Sequence, residues 1–321
     1  MVLPQASELS WQESETAVGK QKKRGGPGAP ANAVLFLPPV YPIFDEQLSL
    51  FNVYTCMTIL IIAILCACVI YFFFRNKRFR GATKHEKLPD ELKIILNTQV
   101  QYYQKLNKND KERFENQVND FLKYIRIEGV GTTVTDIDRV LIASSGVIPI
   151  FGFPGWKYNN LTNIILYPDT FDQEFQFEGE NRNIMGMVGS GYMNGQMLLS
   201  RAALLKGFSS SLGRGNAAIH EFVHLLDKSD GETDGVPENL LPHQYTVPWL
   251  KMMHQEMHLI EAGKSDIDPY ACTSEAEFLA VAAEYFFKKP DQLKHKHPEI
   301  YRSLSQIFGQ DPALPASTPV N

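Results

Sequence analysis

Apolar residues recur at helical spacing through most of the chain between residues 89 and 312. Six segments follow this helical pattern: residues 89–106, 109–127, 133–152, 214–228, 248–263 and 274–289. Two shorter apolar segments, Asn163–Pro168 and Gly195–Arg201, have the length and composition of strands and flank a glycine-rich loop. Helices around a small sheet place this part of the chain in the α+β class.

One apolar segment, Val53–Phe74, contains no charged residue and has no polar face. As a helix rising about 1.5 Å per residue it would span roughly 33 Å, enough to cross a hydrocarbon core of about 30 Å. The pattern predicts a transmembrane helix over residues 50–74, with a long buried core helix as the alternative. Basic residues follow the segment and favour a cytoplasmic C-terminal side, although Lys20–Arg24 ahead of it would also favour the cytoplasm. We expect a single-pass protein of the cell (inner) membrane.

The same pattern predicts the remaining domain organisation. Residues 1–49 are rich in proline and glycine and are expected to be disordered, as is the tail at residues 313–321. Residues 75–88 form a basic juxtamembrane linker, and residues 89–312 form one folded, cytoplasmic domain.

Charge and cysteine content exclude two classes of protein. The net charge of -5 gives no basic surface of the kind that binds nucleic acid, so direct DNA or RNA binding is not expected. Three of the four cysteines, Cys56, Cys66 and Cys68, lie within the apolar segment, which is neither the spacing nor the setting of a disulfide framework. We expect a reducing compartment.

The stretch NAAIHEFVHLLD, Asn216–Asp227, carries two histidines four residues apart. On a helix, His220 and His224 project from one face and can present two imidazoles to one metal ion, and Glu221 can accept a proton from a metal-bound water. The alternative is a helix whose histidines bind nothing, but its other residues predict burial, and buried rings need partners. Asp227 could accept a hydrogen bond from a ligand imidazole or be an ordinary surface carboxylate.

A catalytic metal site needs a third protein ligand and an open position for water. The apolar helix at residues 274–289 offers two candidates, Glu277 and Glu284, which are seven residues apart and lie on one face. For Glu284, an orienting or structural role is as good an interpretation as ligation. Glu275 lies at the helix start, where favourable interaction with the helix dipole accounts for it. The histidines at other positions are expected to take no part: His243, His254, His258, His295 and His297.

The stretch NAAIHEFVHLLD, the loop DGVP and the segment DPYACTSEAEFLAVAAEYFF together resemble the MtfA (Mlc titration factor A-like) family of zinc-dependent metallopeptidases. The resemblance spans residues 89–312 and implies a zincin-like fold with one zinc ion per chain, held in the gluzincin manner by His220, His224 and Glu277. It further implies Glu221 as the general base and Tyr270 as a donor to the oxyanion. The chain departs from the family pattern at Pro269, at Glu275 and in its predicted membrane segment.

These observations predict a membrane-anchored zinc peptidase, an aminopeptidase or oligopeptidase, whose substrate peptide pairs with the edge of the strand at Met197–Ser200. The alternative is a membrane-tethered binding protein, since the resembled family is named for sequestering a transcriptional repressor. A purely structural zinc site would need a fourth protein ligand that the sequence does not offer.

Overall fold

The structure is a computed structural model. It describes residues 57–65, 87–180, 182–209, 213, 215–241 and 243–313. The predicted tail at residues 1–49, residues 75–86 of the predicted linker and residues 314–321 lie outside the described residues. Contacts divide the chain into two units, residues 1–81 and 82–321, and the elements named below belong to the second.

Of the residues 50–74 that were predicted to form a transmembrane helix, the structure describes residues 57–65, which are helical and exposed. The other residues of that prediction lie outside the described part. No helix within the described residues is long and apolar enough to cross a membrane. On this finding, the predicted single-pass localisation in the inner membrane is wrong.

The second unit is built of helices around a small sheet, which confirms the α+β class. Its described α-helices are α1 (Asp90–Gln99), α2 (Gln101–Gln104), α3 (Lys108–Tyr124), α4 (Asp136–Ile150), α5 (Arg201–Phe208), α6 (Ala217–Asp227), α7 (Thr246–Glu261), α8 (Glu275–Lys288), α9 (Pro290–Lys296) and α10 (Pro298–Phe308). Its described strands are β1 (Arg126–Gly129), β2 (Asn163–Tyr167), β3 (Gly186–Val188) and β4 (Gln196–Ser200).

The sheet is mixed, with the strand order β1-β2-β4-β3. Strands β1, β2 and β4 are parallel, in a register that pairs Ile164 with Met197, and β3 runs antiparallel to β4. Strand β4 therefore has a neighbour on both sides, and the prediction that Met197–Ser200 offers a free edge is wrong. Among the described strands the free edge beside α6 belongs to β3, which packs against that helix.

Two strands were not predicted because they form through pairing with distant residues. Strand β1 occupies the end of the segment predicted as a helix over residues 109–127, and its backbone pairs with β2. Strand β3 lies in the glycine-rich loop between the two predicted strands. Strands of three or four residues carry too short an apolar pattern to be recognised locally.

The core contains most of α4, α6 and α8. In α4 every residue from Val140 to Ile150 is buried, as the apolar sequence predicts. Helix α6 packs against α4 on one side and against α8 on another. In α8 the residues from Phe278 to Phe287 are buried, so the apolar helix predicted over residues 274–289 is an interior helix.

An ion pair between buried Asp138 and partly exposed Arg201 joins the start of α4 to the start of α5. Thr135 and Asp138 form a capping box at the start of α4, and Asp138 is 2% exposed. Its Oδ1 accepts a hydrogen bond of 2.9 Å from Nε of Arg201, and its Oδ2 is also paired with that guanidinium. Burial raises the pKa of Asp138, but the hydrogen bonds from Arg201 and Thr135 outweigh burial and leave the pKa below its ordinary value.

We expect Asp138→Asn to lower the free energy of unfolding by about 2–4 kcal/mol at pH 7, because it leaves a partly exposed Arg201 without its anion. A carboxyl with a lowered pKa stabilises the fold above its unfolded pKa of about 3.9, and this stabilisation is lost as the pH falls through the folded pKa. The difference between variant and wild type should therefore shrink below about pH 4.

Urea unfolding at pH 7 and at acidic pH measures this difference. Asp136→Asn is the control, because Asp136 lies in the same helical turn and is exposed. Equal losses from the two variants at pH 7 would contradict the assignment.

Candidate metal centre

Helix α6 presents His220 and His224 on one face. Asn216 caps the helix, and its side chain accepts a hydrogen bond of 3.2 Å from the Ile219 N–H. The two imidazoles lie with their ring centroids 4.7 Å apart, and their Nε2 atoms are 3.0 Å apart. Most of the helix is buried, so the two rings lie in an interior environment.

Helix α8 brings Glu277 to the same point. Ser274 caps this helix and accepts a hydrogen bond of 3.2 Å from the Glu277 N–H. The Oε2 atom of Glu277 is 2.9 Å from Nε2 of His220 and 3.5 Å from Nε2 of His224. The three residues each offer one ligand atom, and these atoms all lie within 4.8 Å of one another.

Glu284, two turns further along α8, contacts the opposite nitrogen of His220. Its Oε1 is 2.7 Å from Nδ1 of His220, and its Oε2 accepts a hydrogen bond from the Asn216 N–H. An imidazole that donates from Nδ1 to a carboxylate has its Nε2 lone pair free for a metal ion. Of the two interpretations that the sequence leaves open for Glu284, the geometry favours the orienting role.

The residues present fit a divalent metal ion. Ligand atoms around a tetrahedral ion with bonds of about 2.0–2.1 Å lie roughly 3.3–3.4 Å apart. The observed separations of 2.9, 3.0 and 3.5 Å bracket this spacing. Two imidazole nitrogens and a carboxylate oxygen are also the ligand set of many zinc sites.

The charges around the site favour a cation. Burial lowers the pKa of His220, but its contacts with Glu277 and Glu284 outweigh burial and raise that pKa to about 10. Burial raises the pKa of Glu277, but hydrogen bonds with His220 and His224 outweigh it and lower that pKa to about 2. Both shifts show that the site stabilises positive charge among ionised carboxylates.

Glu221 is buried directly beside the edge strand β3. A Cβ added to Gly186 would lie 2.6 Å from Cγ and 2.8 Å from Oε1 of Glu221, so glycine is required for this close approach. Burial raises the pKa of Glu221, and electrostatic interaction with the neighbouring imidazoles opposes that effect. The sequence gives no signal for Gly186, because β3 reaches Glu221 through tertiary packing.

Tyr270 lies in a short 3-10 helix, Pro269–Cys272, that leads into α8. Its ring centroid is 6.1 Å from that of His220, and its side chain is 53% exposed. Partial burial and the negative charges of Glu277, Glu221 and Glu284 raise the pKa of its hydroxyl. The phenol therefore keeps its proton at neutral pH and remains a hydrogen-bond donor.

Neither interpretation of Asp227 holds, because the residue is 1% exposed and its carboxylate forms no hydrogen bond with a ligand imidazole. Oδ2 of Asp227 accepts a hydrogen bond of 2.9 Å from the Gly235 N–H, and Oδ1 has no partner within the described residues. Nδ1 of His224 is likewise buried without a partner in that part of the chain. Asp227 thus holds the loop after α6 and does not orient the ring.

The other histidines of the described part of the chain lie outside the group of His220, His224 and Glu277. His254 pairs with Glu275, and His258 is 3.4 Å from Glu261, both on exposed surface. His297 is also outside that group, but it does not lie in an exposed setting: its side chain is 11% exposed and contacts two carboxylates.

We expect the full-length chain to bind Zn²⁺, and Glu284→Gln to weaken that binding about 10–100-fold, because the amide no longer fixes the tautomer and orientation of His220. Competition with a chromogenic chelator measures the dissociation constant. Glu299→Gln, at an exposed position of α10, is the control and should bind as wild type does. Equal affinities for wild type and Glu284→Gln would contradict the orienting role.

Three relatives with similar sequences come from bacteria. An uncharacterized protein of Synechocystis sp. is 27% identical over 238 residues, which are 71% of this chain and 86% of the relative. Mlc titration factor A of Pectobacterium atrosepticum is 28% identical over 224 residues, with 64% and 82% covered. Mlc titration factor A of Escherichia fergusonii is 29% identical over 164 residues, with 47% and 60% covered. These relatives support the resemblance to the MtfA family.

The family comparison covers both helices of the metal centre and the whole sheet. Residues 73–309 match the family described as glucose-regulated metallo-peptidase M90, and they include His220, His224 and Glu277. Because the match covers well over half of the chain, the protein belongs to the M90 family of metallopeptidases.

Proposed function

We propose that the protein is a zinc-dependent peptidase of the HExxH and glutamate type with a zincin-like fold. His220, His224 and Glu277 would hold one zinc ion per chain. The observation that carries the proposal is the convergence of their three ligand atoms within 4.8 Å. The group that the described residues form has three members, and three protein ligands would leave a position for water, as in catalytic zinc sites.

When bound, zinc supplies a Lewis acid that polarises the peptide carbonyl and lowers the pKa of a water molecule. Glu221 is assigned the general base, which accepts the proton of that water and passes it to the leaving amine. Its burial supports this role, because burial raises the pKa of Glu221 and makes the carboxylate a better proton acceptor. Tyr270 is assigned the donor that stabilises the oxyanion, supported by its place beside His220.

The free edge of β3 is the surface that we propose for the substrate backbone. An extended peptide can add to an exposed edge as a further strand. Strand β3 packs against α6, and Gly186 brings it next to Glu221. The strand comprises Gly186–Val188, so it can pair with few substrate residues. This length supports a short peptide as substrate, cleaved in the manner of an aminopeptidase or oligopeptidase.

A second candidate function is the binding of a transcriptional regulator. It is favoured by the name of the relatives, Mlc titration factor A, which describes a protein that titrates Mlc. Chelation separates the two candidates: a peptidase loses its activity when the metal is removed, whereas a binding surface remote from the metal keeps its partner.

We expect the purified full-length chain to hydrolyse amino-acid anilides or short peptide anilides, to lose this activity with chelator and to regain it with Zn²⁺. Glu221→Gln should lower kcat about 10²–10⁴-fold while the zinc content stays near one per chain, because the amide cannot accept the proton. Elemental analysis and initial rates measure both quantities. Glu232→Gln, in the exposed loop after α6, is the control. Full activity in Glu221→Gln, or in the chelated chain, would exclude the proposed mechanism.

We expect Gly186→Ala to lower kcat about 10²-fold, because the new methyl group displaces the Glu221 carboxylate. Zinc content should stay near one per chain, since Gly186 lies on β3 and not on either helix that carries the proposed ligands, and has no positive φ that alanine would strain. A rate equal to that of wild type would show that Glu221 does not need its present position.

A further inference from the structure

His297 lies between two carboxylates, away from the metal centre. Its Nδ1 is 3.1 Å from Oε1 of Glu256 on α7, and its Nε2 is 2.8 Å from Oδ1 of Asp266 in the loop before α8. A neutral imidazole has one N–H and can donate to one of these carboxylates, whereas an imidazolium donates to both. The hydrogen bond to Glu256 raises the pKa of His297, burial opposes this effect, and Asp266 adds to it.

Four further groups complete what we call the His297 cluster. Asp266 accepts hydrogen bonds of 2.7 Å from Nζ of Lys296, 3.1 Å from the Tyr285 hydroxyl and 3.3 Å from the Gln292 amide. Oε1 of Glu256 accepts one of 2.6 Å from the Ser265 hydroxyl. The titratable and charged groups that face His297 therefore come from α7, the loop, α8 and α9.

Two members of the His297 cluster, Ser265 and Asp266, lie just before Tyr270 in the chain. The Ile267 N–H donates to the Ser265 hydroxyl over 3.2 Å, and the Tyr270 N–H donates to Oδ1 of Asp268 over 3.0 Å. Because the Tyr270 side chain is half exposed, its position follows from where its backbone is held. The backbone just upstream is held by Ser265 and Asp266, and Asp266 is bonded to Tyr285 on the helix that also carries Glu277.

We propose that His297, as an imidazolium, is a positioning residue that holds the segment Ser265–Tyr270 against α7 and α8 and so places the Tyr270 hydroxyl beside the metal centre. The proposal rests on the function assigned to Tyr270 above. Loss of one of the two hydrogen bonds of His297 would leave a buried carboxylate with fewer donors and release the segment.

Hydrogen exchange on the full-length chain tests the positioning directly. In His297→Gln we expect the amides of Ile267, Tyr270 and Ala271 to exchange at least about tenfold faster, as the loss of one charged hydrogen bond implies. His295→Gln is the matched control, because it makes the same change two residues earlier at an exposed position. If these amides exchange at the wild-type rate in His297→Gln, the proposal is overturned.

Kinetics separate positioning from general loss of stability. His297→Gln should lower kcat about tenfold in the wild-type background and have almost no effect in Tyr270→Phe, because the hydroxyl that it positions is already absent. Zinc content should be that of wild type in all variants. Equal effects in the two backgrounds would show that His297 acts on something other than Tyr270, which also overturns the proposal.

The outcomes distinguish this proposal from the proposed function. A wild-type chain without chelator-sensitive peptidase activity would refute the function, while faster exchange in His297→Gln would still support the holding of the segment. If His297→Gln does not fold, Glu256→Gln replaces it, because it removes one of the two carboxylates and leaves the contact with Asp266. The expected increase in exchange rate is then about threefold, and an unchanged rate overturns the proposal.

Discussion

The carboxylate of Glu284 joins the two helices of the metal centre, and the geometry of the site depends on that contact. A buried carboxylate is costly unless it is hydrogen-bonded, and Glu284 meets this need with His220 and the Asn216 N–H at the start of α6. A Cβ at Gly215 would lie 3.3 Å from Oε2 of Glu284, so a small residue suits this junction. The contact thus sets both the ring orientation and the register of α6 against α8.

The other end of α6 is held to α8 through a loop. Asp227 accepts a hydrogen bond from the Gly235 N–H, and the Gly235 carbonyl accepts one of 2.8 Å from the indole of Trp249. Gly235 has a φ of 77°, and a Cβ there would lie 2.3 Å from the Glu275 carbonyl, so only glycine fits. With both ends fixed, the ligand atoms from α6 and α8 keep their separations without a flexible element between them.

The open side of the site contrasts with this rigid frame. Strand β3 has a free edge, and Tyr270 is half exposed on a short helix that depends on the His297 cluster. A pre-oriented candidate metal site beside an accessible strand suits a reaction in which the substrate enters from solvent and the side chains that would bind the metal do not move. The same arrangement explains why two residues that are proposed to affect the reaction rate, Gly186 and His297, lie outside the group of proposed metal ligands.

The sequence by itself determined the helix that carries His220 and His224, because residues four apart lie on one face of a helix. It also determined α4, β2 and β4 through their local apolar patterns. It left Glu277 and Glu284 as alternatives, because both lie on one face of α8 and the docking of α6 decides which carboxylate meets which nitrogen. The tertiary structure also decided that β1 and β3 form strands, that Gly186 approaches Glu221 closely and that His297 pairs with Asp266. These features depend on hydrogen bonds and packing between segments far apart in the chain, which local periodicity does not encode.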